Sequence, residues 1–318
     1  MTPLRIGAFL GLLVVVAVAL WLSVGAAPAA RLPWARRCPI FPSNNPWNQR
    51  VDQLPVDPNS SKYIAAIGRD APVHPDFGTV YAGAPNGIPY VVVSTRTRRV
   101  PVRFQYASES DRGPYPIPKD APIEGGRNSS GDRHVIVVDR GMCTDYELNA
   151  AYPHNGESYW TAGSSAIFKL RSNHLRPAGW TSADAAGLPI LPGLARYDEV
   201  AHGAIDHALR FTAPCTAPRY VYPARHETST CNQAWAPPMG LRLRLKASVD
   251  ISRLPHQARV VAQALKTYGL ILADNGSPWY ISGAPNSHWN NDALHQLDQL
   301  TGSDFEVVNT SSLPRPGV

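Results

Sequence analysis

The chain alternates apolar and polar residues over many short stretches, the pattern of β-strands with one buried face. The clearest stretch is 241–247, where leucines occupy alternate positions and Arg242, Arg244 and Lys246 stand between them. The pattern predicts strands over 90–93, 100–106, 134–139, 146–150, 166–171, 206–212, 241–247, 270–273, 279–282 and 305–308. Because basic and apolar residues alternate in several of these strands, we expect one face of the sheet to be rich in guanidinium groups.

Helical spacing of apolar residues is confined to a few segments. It predicts a helix over 256–268 that ends at Gly269, and a second helix over 292–300. Shorter helices are predicted to begin at Ser182 and near Tyr197. Predicted strands therefore dominate, and helices gather toward the C-terminus.

The 31 prolines and 24 glycines are spread along the chain instead of marking one linker. This distribution favours one domain of short strands and long ordered loops. We therefore predict a mainly β fold, a sandwich or jelly-roll-like single domain over 38–310 with a small helical C-terminal part. A linker over 31–37 precedes it and a tail over 311–318 follows it.

The first 30 residues resemble an export signal. Arg5 precedes an apolar run over 6–27, and small residues follow it. The run is close to the roughly 20 residues that span a bilayer, so an uncleaved anchor is the alternative to a cleaved signal peptide. The sequence thus predicts a secreted or periplasmic protein, or one anchored by this segment. Membrane contact is expected only through residues 6–27, if they are retained.

Four cysteines fit an oxidising compartment, where disulfides persist. Cys215 and Cys231 bracket a loop rich in proline and threonine, so we pair them, which leaves Cys38 for Cys143. The sequence alone leaves other pairings open. A metal site of cysteines is not indicated because the chain has no CxxC pair.

Several stretches resemble those of a family of exported bacterial proteins to which no activity is attached. They include CPIFPSNNPWNQRV, HPDFG, GDRHVIVVDR, LPILPGLARYDEV, HALRFT and GSDFEVV. The resemblance covers nearly the whole chain after the export segment. It implies one integral domain from about Cys38 to Val308 and implies no reaction, so the chemistry must be argued from residues.

Carboxylates are the first candidates for catalysis, since glycoside hydrolysis uses two of them about 5–10 Å apart. Asp139 ends one predicted strand and Glu147 lies on the next, so we expect the two to approach each other across a hairpin. Asp206, Glu199 and Asp274 are further candidates. For each of these acids, capping a turn or pairing with an arginine is the alternative.

Histidines offer a second set of candidates. His134 begins a strand, and His207 lies in another on the face of its apolar residues. Either could be the base of a lyase, the alternative being a hydrogen-bonded core histidine. His226 and Glu227 stand together between the last two cysteines. No HxH or HExxH spacing occurs, so we predict neither a metal nor any other cofactor.

Arginine and tryptophan side chains are the candidates for binding. The guanidinium group of arginine forms paired hydrogen bonds with carboxylates, so the basic sheet face could hold an acidic polymer. The alternative is a solvated sheet face with no ligand. The arginines are Arg171, Arg210, Arg242 and Arg244. Trp160 and Trp180 are candidate platforms for sugar rings, or else plugs that bury loops.

These features together predict an extracytoplasmic carbohydrate-active protein, a glycoside hydrolase or polysaccharide lyase whose partner is an acidic polysaccharide or other envelope glycan. The alternative is a non-catalytic glycan-binding or structural cell-envelope protein. Nucleic acid is not an expected partner, because the net charge of +6 is modest and no basic run is dense. A peptide or ester hydrolase ranks last, since no GxSxG motif is present.

Overall fold

A computed structural model describes residues 29–318, so the predicted export segment lies almost wholly outside the described residues. The described chain is mainly β, with few helices. The strands are β1 (His74–Asp76), β2 (Val80–Tyr81), β3 (Ala84–Pro85), β4 (Tyr90–Val93), β5 (Val102–Phe104), β6 (Val135–Asp139), β7 (Thr144–Asn149), β8 (Tyr152–His154), β9 (Tyr159–Ala162), β10 (Ser164–Lys169), β11 (Leu209–Ala213), β12 (Arg242–Leu245), β13 (Leu270–Asn275), β14 (Tyr280–Ser282) and β15 (Phe305–Val307). The α-helices are α1 (Ser60–Ile67), α2 (Tyr197–His202), α3 (His256–Thr267) and α4 (Asn291–Leu294).

Every predicted strand is present, with small shifts at its ends, and α2 and α3 lie where helices were predicted. The helix predicted over 292–300 is divided into α4 and a 3₁₀ turn, His295–Gln299. The prediction of a helix that begins at Ser182 is wrong. The Ser182 hydroxyl accepts from the Asp184 amide and donates to the Leu188 carbonyl, which makes a turn.

The strands form several sheets, of which the largest has the order β1-β14-β11-β13-β12-β15. A four-stranded sheet has the order β10-β7-β6-β4, and a three-stranded sheet the order β5-β9-β8. Each of these three sheets contains a parallel pair. The sandwich or jelly-roll arrangement stays a prediction, because mixed sheets of this kind do not define either one.

The six-stranded sheet has one apolar and one polar face. Leu209, Leu270 and Leu243 lie opposite one another in register, and α3 packs over their face to form the largest core. The neighbouring row on the other face contains Arg210 and Arg242. The predicted alternation is therefore confirmed for these strands.

A β-bulge interrupts the pairing of β11 with β13. Phe211 lies opposite Leu272, but Thr212 lies opposite Asp274, so Ala273 is an extra residue. With regular pairing, Asp274 would point to the apolar face, because a one-residue shift reverses the direction of each side chain. The bulge instead puts Asp274 on the same face as Arg210.

Two disulfides, Cys38–Cys143 and Cys215–Cys231, confirm the predicted pairing, with Cα–Cα distances of 5.2 and 5.5 Å. They indicate an oxidising compartment. The first ties the N-terminal arm to the turn between β6 and β7. Among residues 29–318, no helix is long and apolar enough to cross a membrane.

We expect the two disulfides to differ in their effect on stability, because they close loops with sequence separations of 105 and 16 residues. The chain-entropy argument gives about 5 kcal/mol for the longer loop and about 3 kcal/mol for the shorter one. Urea unfolding of Cys38→Ala/Cys143→Ala and of Cys215→Ala/Cys231→Ala measures both losses. A larger loss from the shorter loop would contradict this order.

Candidate functional site

A cleft of about 420 Å³ lies against the polar face of the six-stranded sheet. Its walls come from the Ala183–Ala185 segment, the end of β13, the 226–228 loop, and loops that flank β6 and β10. Carboxylates dominate the lining, and they are Glu109, Asp132, Asp184, Glu227 and Asp274. This concentration of acids makes the cleft the candidate functional site.

A buried ion pair forms the floor of the cleft. Arg210 on β11 donates from Nε and Nη2 to the two oxygens of Asp184, at 3.0 and 2.7 Å. Its Nη1 donates to Ser282 Oγ at 2.5 Å. Burial alone would lower the pKa of Arg210, but the charge of Asp184 raises it above its ordinary value. These three hydrogen bonds fix the position of the Asp184 carboxyl group and of the guanidinium.

Asp274 lies beside this pair and is partly exposed to the cleft, with 25% of its side chain accessible. Its Oδ1 accepts from the Asn275 amide at 2.7 Å, and its Oδ2 lies 3.6 Å from Arg210 Nη2. Burial and the negative charge of Asp184 raise the pKa of Asp274 well above its usual range, and Arg210 offsets only part of this. Asp274 therefore takes up a proton more readily than an ordinary aspartate, and a quarter of its side chain is open to the cleft.

His134 and Glu124 form a second charged pair at the edge of the cleft. His134 Nε2 donates to the Ala183 carbonyl at 3.0 Å, and Nδ1 lies 2.6 Å from Glu124 Oε2. Burial alone would lower the pKa of His134, but the charge and hydrogen bond of Glu124 raise it to about 9. Both ring nitrogens of His134 are therefore engaged within the protein. These contacts hold His134 against the 183–185 segment, and its predicted catalytic role stays a prediction.

The other acids that line the cleft make longer or fewer contacts than Asp184 does. Glu109 Oε2 accepts from the Thr181 amide at 3.2 Å and lies 3.9 Å from His226 Nε2. Within residues 29–318, the buried Oε2 of Glu227 has no hydrogen-bond partner. Asp132 is exposed and reaches to within 4.8 Å of Glu124 and His134.

The predicted pair of Asp139 and Glu147 is not brought together. Glu147 lies opposite Ile136 and Asp139 opposite Thr144, so the two acids are three strand positions, roughly 10 Å, apart and on opposite faces. Asp139 accepts from the amides of Gly141 and Met142 and caps the turn. Glu147 is fully buried and accepts from two amides of the 190–191 segment. Both acids have structural roles in the hairpin core.

His207 also lies away from the cleft. It is buried, with Nδ1 2.8 Å from the Ala208 carbonyl and Nε2 3.1 Å from Glu199. Burial alone would raise the pKa of Glu199, but Arg196 and His207 lower it. This is the hydrogen-bonded core histidine that was the alternative interpretation.

Most of the predicted binding residues are unsuited to an open surface. Arg242 is buried under the N-terminal arm, where it donates to carbonyls of Pro46, Gln49 and Tyr268. Burial lowers its pKa to about 9. Arg244 pairs with Glu306 at 2.8 Å. The basic face is thus a covered packing surface at these positions.

The remaining candidates lie at scattered positions. Arg171 is exposed, donates to the Arg37 carbonyl and does not line the cleft. Trp160 is 1% exposed and belongs to the core, so it offers no platform for a sugar. Trp180 is partly buried, and its ring lies 5.6 Å from the guanidinium of Arg176. Of the predicted arginines and tryptophans, Arg210 alone contacts the cleft acids described above.

Sequence reasoning missed several cleft residues. Asp184 stands between alanines in a loop and carries no motif. The sequence did indicate three other cleft residues. Asp274 was a candidate because it follows an apolar strand, and His226 and Glu227 were candidates because they stand together between cysteines. No family model matches the chain, and no curated protein or solved structure matches it either.

Because His134 is paired with Glu124, we expect the free energy of unfolding to fall at alkaline pH. Because the pKa of His134 is raised in the folded state, its contribution is fully present below about pH 6.5 and is lost as pH rises toward 9. The loss is on the order of 3 kcal/mol in the free energy of unfolding. Urea titrations between pH 6 and 9.5 measure it. His134→Gln should remove this dependence of stability on pH, and the control His174→Gln, at an exposed position, should keep it. An unchanged pH dependence in His134→Gln would contradict the assignment.

Proposed function

We propose that the protein is an extracytoplasmic glycoside hydrolase that acts in the acidic cleft. The observation that carries this proposal is the position of Asp274, which lies beside the buried Asp184 carboxylate, has a raised pKa for that reason, and is open to a cleft that contains other carboxylates. Glycosidases need a proton donor for the leaving oxygen and a second carboxylate for the base or nucleophile. The two disulfides and the export-like N-terminus support action outside the cytoplasm.

Asp274 is the general acid in this proposal. Its raised pKa keeps the proton available, and its partial exposure gives that proton access to a substrate. Asp184 is a positioning residue, since it is fully buried and acts through its charge on Asp274.

Asp132 is the partner carboxylate. It reaches the same cleft from the loop before β6 and is exposed, so it can contact a substrate directly. Glu109 and Glu227 line the same cleft and are suited to bind sugar hydroxyls.

The lining charge favours a neutral or amine-bearing glycan. Besides Asp274 and the Arg210-paired Asp184, three carboxylates line the cleft, those of Glu109, Asp132 and Glu227, and Arg210 on its floor is engaged by Asp184 and Ser282. A uronate would therefore meet negative charge and no free guanidinium. An acidic substrate and a lyase mechanism, both expected from the sequence, are therefore disfavoured, since Arg242 and Arg244 are occupied elsewhere.

We expect Asp274→Asn and Asp132→Asn each to lower kcat by about 10²–10⁴-fold on a cleaved glycan, because each removes a proton-transfer or nucleophilic group. In the unsubstituted protein, kcat/KM should fall as pH rises through the raised pKa of Asp274, and this limb should be absent in Asp274→Asn. Hydrolysis of a panel of neutral, amino-sugar and uronic-acid polysaccharides by the purified domain measures these effects.

Asp52→Asn is the matched control, since Asp52 pairs with Arg50 at the surface and should leave kcat unchanged. Binding of the same glycans by calorimetry separates catalysis from recognition. Binding without cleavage of any glycan would support a non-catalytic envelope protein and sink the hydrolase proposal, as would full activity in Asp274→Asn.

A further inference from the structure

Three potential metal ligands meet at the edge of the six-stranded sheet formed by β1. His74 lies on β1, and His295 and Asp298 lie on the 3₁₀ turn that packs against this strand. One ligand atom from each side chain lies within 4.8 Å of the other two. Residues far apart in the sequence thus converge on one point at the surface.

The backbone holds these ligands in place. His74 is paired with Tyr280 in the β1–β14 ladder, and its ring packs on the Tyr280 ring with centroids 4.3 Å apart. His295 and Asp298 are three residues apart on one helical turn, a spacing that puts both on the same side. Two elements that already pack together therefore present a fixed set of two imidazoles and one carboxylate.

The ligand atoms are free to bind a cation. Within the described chain, none of these three side chains makes a hydrogen bond, and His295 Nδ1 is 3.6 Å from Asp298 Oδ2, which is too long for one. About half of the His295 side chain is exposed, so an ion can enter. His134 is the contrast, since both of its nitrogens are occupied.

We propose that His74, His295 and Asp298 bind a divalent transition-metal ion, with Zn²⁺ as the best match. Two imidazoles and a carboxylate suit Zn²⁺, and an exposed position leaves a fourth site for water. The three ligand atoms, which lie within 4.8 Å of one another, must each come to about 2.0–2.2 Å from the ion. The metal bridges the edge strand β1 to the 3₁₀ turn, and this role does not depend on the activity of the acidic cleft.

The test is titration of metal-free protein with Zn²⁺ by calorimetry, and with Co²⁺ by visible absorption. We expect one saturable site, with affinity that falls as pH drops through the usual range of histidine, because the ligand must be neutral. Mg²⁺ and Ca²⁺ should not compete, since they prefer oxygen ligands. Bound Zn²⁺ should raise Tm, as any ligand of the folded state does.

His295→Ala and Asp298→Asn should each weaken Zn²⁺ binding by about tenfold or more. Both residues are exposed, so circular dichroism should show that these variants fold. His174→Ala, which removes an exposed histidine elsewhere, should keep the affinity. The absence of saturable Zn²⁺ binding, or equal losses in His174→Ala and His295→Ala, would overturn the site.

Discussion

The buried ion pair between Arg210 and Asp184 is the interaction on which the cleft depends. Removing both charges from water is costly, and the cost is offset only by good geometry and by hydrogen bonds to the remaining donors. Arg210 meets this demand with two bonds to Asp184 and one to Ser282. Because the pair joins the centre of the six-stranded sheet to the segment that follows β10, it fixes the position of that segment. Together with burial, the charge of Asp184 also raises the pKa of Asp274.

A second charged contact aligns the other side of the cleft. The imidazolium of His134 bonds Glu124 at one end and the carbonyl of Ala183 at the other. Ala183 precedes Asp184, so both charged contacts hold the same short segment. The bulge at Ala273 then puts Asp274 on the face where Arg210 lies. Each acid of the floor therefore has a defined position before any substrate is present.

The sequence predicts the strands better than it predicts the site, and the reason is physical. Alternation over 241–247 and helical spacing over 256–268 are local, so the positions of β12 and α3 could be predicted from neighbouring residues alone. The bulge depends on how β11 pairs with β13, which local pattern does not specify. The covering of Arg242 depends on the N-terminal arm, almost 200 positions away along the chain. Charge and alternation indicated a basic face correctly, but only tertiary packing decides whether such a face meets solvent.

Among residues 29–318, burial and a neighbouring carboxylate raise the pKa well above the usual range for Asp145 and for Asp274, and of these two only Asp274 lies on an open cleft. Asp145 and Glu147 are both fully buried on one face of β7, where burial and the charge of Glu147 raise the pKa of Asp145 well above its usual range. Glu147 is bound to backbone amides, and ring and aliphatic side chains such as Phe168 and Ile136 surround the pair. Their proton is locked in a core that no substrate reaches. Asp274 has the same kind of electrostatic cause but lies on an open cleft. Asp274 therefore differs from the Asp145–Glu147 pair in its access to solvent, which a group that transfers a proton to a substrate needs.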